Sequence, residues 1–119
     1  MRDRIIRVIA ADATVRAFGA VTVNTVQKAM DIHDLSVSAG AALGRVLTAS
    51  AMMTKMFQND NDRLTIQIKG DGPVNGIVAV SDTRDAVRGY VGNPHVPIFK
   101  KSNGKMDLSK VTGDTGFLN

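Results

Sequence analysis

The chain has 119 residues, no cysteine and a formal net charge of +4 at pH 7. This length suits one domain that buries its own core, and the lack of cysteine excludes disulfides, thiolate zinc sites and cysteine nucleophiles within these residues. The first residues lack the apolar stretch and cleavage site of a secretory signal, so a cytoplasmic location is expected.

The first predicted elements are a hairpin and a short helix. Apolar and polar residues alternate over 5–11 and 14–23, which predicts two antiparallel strands joined near Asp12. Asn24 is then expected to cap a helix over 25–32, with a glutamine three residues later completing a capping box.

The segment 37–57 predicts a longer helix that is apolar on nearly every side. Its only charged residues are Arg45 and Lys55, and Ser36 precedes it as an N-cap. At helical spacing, small residues fall on one side, where another backbone could come close, and large residues fall opposite. The small side comprises Gly40, Ala41, Gly44, Thr48 and Ala51, and the large side comprises Leu43, Val46, Met53 and Phe57.

A helix of this kind must be covered on nearly every side. We therefore expect an α+β fold with a layered β/α/β arrangement, in which the helix at 37–57 lies buried between sheets. The alternative is a membrane span. However, Arg45 interrupts an apolar run that is already shorter than the roughly 20 residues a bilayer requires, so no membrane partner is expected.

Three strands joined by short turns are predicted after this helix. Residues 63–69 alternate strictly between apolar and polar, 77–81 form an apolar run typical of a central strand, and 86–91 alternate again. The turn Gly70-Asp71-Gly72-Pro73 separates the first two strands. Together these segments predict an antiparallel meander at 63–91.

From residue 92 onward the sequence is typical of a loop. Val96, Ile98 and Phe99 lie among prolines and lysines, and we expect them to form an exposed apolar patch. A helical turn is predicted at 108–111. The final residues, 116–119, resemble the start of another strand, so we expect the chain to be a fragment.

The positive charge is concentrated in one segment. Residues 100–110 contain four lysines and one aspartate, and so supply three of the four net positive charges. A solvated loop is the simpler interpretation, and a nucleic-acid or anion-binding module that uses this segment is the alternative. The aromatic content of 4% disfavours base stacking and therefore nucleic acid.

No catalytic, cofactor-binding or metal-binding set can be identified. His33 and His95 lack the spacing of metal ligands, and no serine lies in a G-x-S-x-G elbow. We therefore expect that the protein is not an enzyme.

Four motifs follow one another along the chain. They read AALGRVLTA at 41–49, IKGDGP at 68–73, VRGYV at 87–91, and VTG at 111–113 with a further glycine at 116. In this order and spacing they resemble the amino-terminal domain of the redox-regulated heat-shock chaperones known as the thirty-three-kilodalton chaperonin family. The similarity extends to Asn119 and covers essentially all of this chain, but only the first part of a family member.

The resemblance implies an ATP-independent, cytoplasmic holdase that binds unfolding client proteins under oxidative and heat stress. It also implies helices sandwiched between sheets, with residues 1–119 as an N-terminal chaperone core domain. Family members carry a C-terminal switch of four cysteines on zinc. That domain is absent here, so zinc and redox sensing are expected only in sequence beyond Asn119. Within the chain, Val96, Ile98 and Phe99 are the expected client contacts, and a homodimer formed by strand exchange is left open.

Overall fold

The structure, a computed structural model, describes residues 2–56, 61–84 and 86–119, and these residues form two antiparallel sheets and three helices. The elements in chain order are β1 (Arg4–Ala10), β2 (Val15–Val21), α1 (Val23–His33), α2 (Val37–Met53), a 3-10 turn (Thr54–Met56), β3 (Arg63–Gly70), β4 (Ile77–Asp82), β5 (Val87–Val91), α3 (Ser109–Thr112) and β6 (Gly116–Leu118). The strand order is β1-β2 in the first sheet and β5-β4-β3-β6 in the second.

Helix α2 lies between the two sheets, because it contacts β2 on one side and β4 and β5 on the other. Leu43 and Leu47 are each 1% exposed and pack in the main core with Ile77 and Val91. This confirms the predicted α+β fold with a central helix between sheets.

The C-terminal end of α2 differs from the prediction. The α-helix ends at Met53 and tightens into the 3-10 turn, and Phe57 lies outside the described residues. The Thr54 hydroxyl donates to the Ala51 carbonyl at 2.6 Å. Such local bonds from a side chain to the backbone compete with the helical pattern. The predicted N-cap is confirmed, since the Ser36 hydroxyl accepts from the Ala39 amide.

The small side of α2 receives side chains of α1 and not a second backbone. A Cβ added at Gly40 would lie 2.7 Å from Cε of Met30, and one added at Gly44 would lie 2.9 Å from Cγ1 of Val26. The two glycines are therefore notches that Met30 and Val26 fill. Helix α1 therefore packs on this side, and its nearest atoms to the two glycines belong to side chains.

The N-terminus of helix α1 is capped by a residue that is distant in sequence, and the predicted Asn24 cap was wrong. The helix already begins at Val23, so Asn24 lies within its first turn. Its amide donors are instead taken by Asp3, whose carboxylate accepts from the Asn24 amide at 2.9 Å and the Thr25 amide at 2.7 Å. The predicted capping-box residue, Gln27, donates to Asp31. A carboxylate at this end of a helix also complements its dipole.

The hairpin and the meander are confirmed. Strands β1 and β2 pair from Arg4↔Val21 to Ala10↔Val15, and we call this pair the ribbon. In the second sheet β4 is central as predicted, with its core-facing residues Ile77 and Ala79 buried. The last strand, β6, adds to the far side of β3.

Four glycines bring two distant loops together. Gly70 and Gly72 lie at the end of β3 and in the turn after it, whereas Gly113 directly follows α3 and Gly116 is the first residue of β6. A Cβ at any of the four would meet backbone atoms of the opposite segment, and Gly113 also has a φ of 98°. We call this set the glycine junction. It lets the Gly72 amide donate to the Thr112 carbonyl at 3.2 Å.

The charged side chain of Asp71 connects the two segments of the glycine junction by hydrogen bonds. Its carboxylate accepts from the Asp114 amide at 3.0 Å and from the Thr115 hydroxyl at 2.9 Å. The hydroxyl and amide of Thr115, followed by the Asp114 amide, lower the pKa of Asp71 from its ordinary 3.8, against an opposing effect of desolvation. Hydrogen bonds of this kind favour the charged form.

We therefore expect the junction to weaken in acid. Because the folded pKa of Asp71 is depressed, its contribution is present above the unfolded pKa and is lost as the pH falls through the folded pKa. Asp71→Asn should lower the urea midpoint at about pH 7, and its difference from the parent should shrink below about pH 4. Asp3 and Asp107 also have lowered pKa values. Because the parent and the Asp71→Asn variant both contain these two residues, their effect cancels in the difference. A difference that is the same at every pH would contradict the assignment.

Candidate functional site

The segment containing Val96, Ile98 and Phe99 is not a free loop. Val96 is 3% exposed and belongs to the main core, whereas Ile98 is 52% exposed. Phe99 is half-buried against the same core. The expected exposure of this patch was therefore wrong for Val96, and of the three only Ile98 is classed as exposed.

Two serines at the start of α2 explain this burial. The Ser36 hydroxyl accepts from the Val96 amide at 2.9 Å, and the Ser36 amide donates to the Pro94 carbonyl at 2.8 Å. The Ser38 hydroxyl donates to the Pro97 carbonyl at 2.9 Å. The segment is thus bound across the first turn of α2. These bonds span about 60 residues, too far for sequence spacing to indicate them.

The lysine-rich segment forms a small hairpin of its own. Lys100 bridges to Met106, and the Lys101 amide donates to the Lys105 carbonyl at 2.7 Å. These three lysines and Lys110 on α3 are all exposed. The nearby Asp107 accepts from the Ser109 hydroxyl, which is the main reason that its pKa is lowered. The predicted basic surface therefore exists, on a hairpin and an adjacent helical turn.

The ribbon presents an apolar face that sequence reasoning did not identify as exposed. Ile6, Val8 and Val15 lie on one face of it, because Ile6 pairs with Gly19, Val8 with Ala17, and Ala10 with Val15. Their side chains are 48%, 52% and 52% exposed. We call these three residues the ribbon face. Alternation in the sequence indicated this face, but not whether another element covers it.

A groove of about 370 Å³ lies between α1 and β5. Five of its residues recur at helical spacing along one side of α1: Thr25, Lys28, Ala29, Ile32 and His33. The opposite wall is formed by β5 and the residue before it, and Leu47 of α2 lies at the floor. We call it the α1–β5 groove. It combines apolar and basic side chains.

The described residues contain no grouping of side chains suited to a metal ion. Within 2–56, 61–84 and 86–119, no three histidine, aspartate or glutamate side chains are grouped as a metal site. A thiolate zinc site does not fit these residues either, since the chain has no cysteine. No helix in the described ranges is both long and apolar enough to cross a bilayer.

Comparison with known proteins gives one consistent family. The family model for "Hsp33 protein" matches residues 3–119. The chain is 53% identical over 119 residues to a 33 kDa chaperonin of Ruminiclostridium cellulolyticum, covering 100% of this chain and 40% of that protein. It is 46% identical to a 33 kDa chaperonin of Clostridioides difficile over 118 residues, covering 99% of this chain and 40% of the relative.

The fold has a close counterpart among solved structures. The crystal structure of a 33 kDa chaperonin (heat shock protein 33 homolog) from Thermotoga maritima matches with a TM-score of 0.87 and 31% identity. The match covers 97% of this chain and 43% of that one. The chain thus spans well under half the length of these relatives.

Proposed function

Because this chain belongs to the Hsp33 family, we propose that it is the N-terminal part of an ATP-independent holdase, which binds unfolding proteins under oxidative and heat stress. The observation that carries the proposal is the ribbon face, an exposed apolar surface on a two-stranded sheet. Contiguous exposed apolar surface is typical of protein interaction sites. No bond is made or broken, so the protein acts as a binder and not as an enzyme.

Client capture combines apolar and electrostatic contact. The ribbon face offers Ile6, Val8 and Val15 to apolar segments that are buried in folded clients. Ile98 is a further exposed apolar contact near the lysine hairpin, whose positive charge attracts acidic clients. Cytoplasmic location and redox control are part of the same proposal. Zinc and its cysteines are assigned to sequence outside this chain, which contains none.

Suppression of light scattering from reduced insulin tests the proposal. The chain should suppress aggregation, and the triple variant Ile6→Ser, Val8→Ser and Val15→Ser should require about tenfold more protein for equal suppression, because each half-exposed side chain supplies apolar area. The control triple Val23→Ser, Val37→Ser and Met53→Ser removes exposed side chains elsewhere and should behave like the parent. Circular dichroism checks that each variant is folded. Equal suppression by both triples would contradict the proposal.

The ribbon face could instead join two copies of the chain. Sedimentation of the parent and of the ribbon-face triple distinguishes client binding from dimerisation, since a dimer held there would dissociate in the variant.

Nucleic-acid binding by the exposed lysines is a second candidate function. It requires an oligonucleotide complex whose affinity falls steeply with salt, and no mobility shift at low ionic strength would exclude it.

A further inference from the structure

Strand β5 is an edge of the second sheet and directs part of its backbone away from β4. The Asp82 amide donates to the Ala86 carbonyl at 3.1 Å, so this pair is a hydrogen-bonded one. Bonded and non-bonded pairs alternate in an antiparallel ladder. Val87 and Gly89, which pair with Ser81 and Ala79, therefore turn their N–H and C=O groups outward. Such an edge is a template for another strand.

Helix α1 faces this edge, and the helix and the strand form the two walls of the α1–β5 groove. From Thr25 to His33 the lining side of α1 extends for about 12 Å, which matches about four residues of an extended chain. A Cβ at Gly89 would lie 2.5 Å from the Val78 carbonyl oxygen of β4 and 3.0 Å from Cδ2 of Leu47 at the floor of the groove, so the strand, the floor and the groove meet closely at this residue. Peptides commonly bind by adding a strand to an exposed sheet edge, with their alternate side chains taken by neighbouring pockets.

The charges of the groove indicate what kind of segment it suits. Lys28 and Arg88 lie on opposite walls, His33 lies at one end, and none of the residues that line the groove is acidic. On α1, one turn after Lys28, Ile32 is 66% exposed. A segment that alternates apolar side chains with carboxylates would match both features.

From these features we infer that the α1–β5 groove binds an extended segment of an unfolded client, with alternating apolar and acidic residues, as an additional strand on β5. The inference rests on the proposed holdase function and gives it a second, directional mode of capture. The ribbon face contributes apolar area, whereas β5 contributes backbone hydrogen bonds that any unfolded chain can complete.

The test uses a short fluorescein-labelled peptide in which valine alternates with glutamate. We expect it to bind the chain and to shift the amide resonances of Val87 and Gly89, which should also exchange more slowly with solvent. The same peptide with an N-methyl group on every residue has equivalent side chains but no N–H donor on either edge, and it should lose binding. Equal binding by both peptides, or shifts confined to the ribbon, would overturn the inference.

Charge reversal tests the groove from the protein side. The double variant Lys28→Glu and Arg88→Glu should bind the glutamate peptide about tenfold more weakly and should favour a peptide with lysine in place of glutamate. The control Arg45→Glu and Lys69→Glu changes the net charge equally at exposed residues outside the groove and should show less than about twofold loss. If both variants lose affinity equally, the attraction comes from overall charge and the inference fails.

The remaining outcomes separate this inference from the proposed function. If the chain suppresses insulin aggregation but the peptide leaves Val87 and Gly89 unshifted, the groove is wrong and the holdase proposal stands. If the peptide binds at β5 but no aggregation is suppressed, the groove is supported and the holdase proposal is contradicted. If the β5 resonances shift with protein concentration alone, two copies pair there and the inference is overturned.

Discussion

Replacing Gly72 by alanine is expected to lower the free energy of unfolding by about 3 kcal/mol, because the new methyl group would overlap backbone that cannot move aside. The added Cβ would meet the Val111 carbonyl and would lie 2.5 Å from the Gly113 amide nitrogen. Relief would displace the hydrogen bonds from the Gly72 amide to Thr112 and from the Val74 amide to Val111, at 3.2 and 3.1 Å. Each such bond contributes about 1 kcal/mol.

Urea unfolding followed by circular dichroism measures this loss. Gly19→Ala is the matched control, because a Cβ there meets nothing within 4 Å and lies on the exposed ribbon. Its midpoint should stay close to that of the parent. If Gly72→Ala were as stable as Gly19→Ala, the close approach of the two loops would be contradicted.

The second large effect is expected at Val96. Val96→Asp would place a carboxylate in the main core and should cost about 4 kcal/mol, a large part of the 5–15 kcal/mol that is typical of a domain. Ile98→Asp, two residues further on but exposed, should cost less than about 0.5 kcal/mol. Unfolding by heat and by urea measures both.

Val96→Ala keeps this test usable if Val96→Asp does not fold. The smaller side chain should still cost about 2 kcal/mol through the cavity that it leaves. A pair of variants at Val96 and Ile98 with equal stability would mean that the segment does not pack against α2. The comparison separates a residue that anchors the fold from its neighbour that is available for contact.

Local pattern was sufficient to predict the strands and the central helix. The strict alternation at 63–69 and the apolar run at 77–81 predicted β3 and β4, because side-chain direction in a strand has a period of two. The apolar helix at 37–57 predicted a layer on each side. These features depend on neighbours in sequence, and the structure confirms them.

Features that depend on distant residues could not be predicted in this way. The cap of α1 comes from Asp3, more than 20 residues away, although Asn24 has the right chemistry for a cap. Val96 is buried because Ser36 binds its amide, and no pattern around Val96 indicates this. The α1–β5 groove likewise requires a helix and a strand that are separated by α2, β3 and β4.

The glycine junction gives a physical meaning to two of the motifs that indicated the family. IKGDGP at 68–73 and the glycines after Val111 are far apart in sequence, yet each segment supplies the space and the donors that the other requires. Their joint occurrence therefore reflects one contact. The resemblance was carried by residues that shape the fold, which explains why it indicated the family and did not locate a binding surface.

The Asp3 cap has a consequence for communication across the molecule. Asp3 immediately precedes β1, and its carboxylate holds the first turn of α1, whose side forms a wall of the α1–β5 groove. A partner that pulled the ribbon outward would withdraw this carboxylate and loosen that wall. By thermodynamic reciprocity, a segment that ordered α1 from within the groove would also hold the ribbon in place. Asp3 thus joins the ribbon to the helix that forms one wall of the groove, and we expect Asp3→Ala to weaken any coupling between the two surfaces.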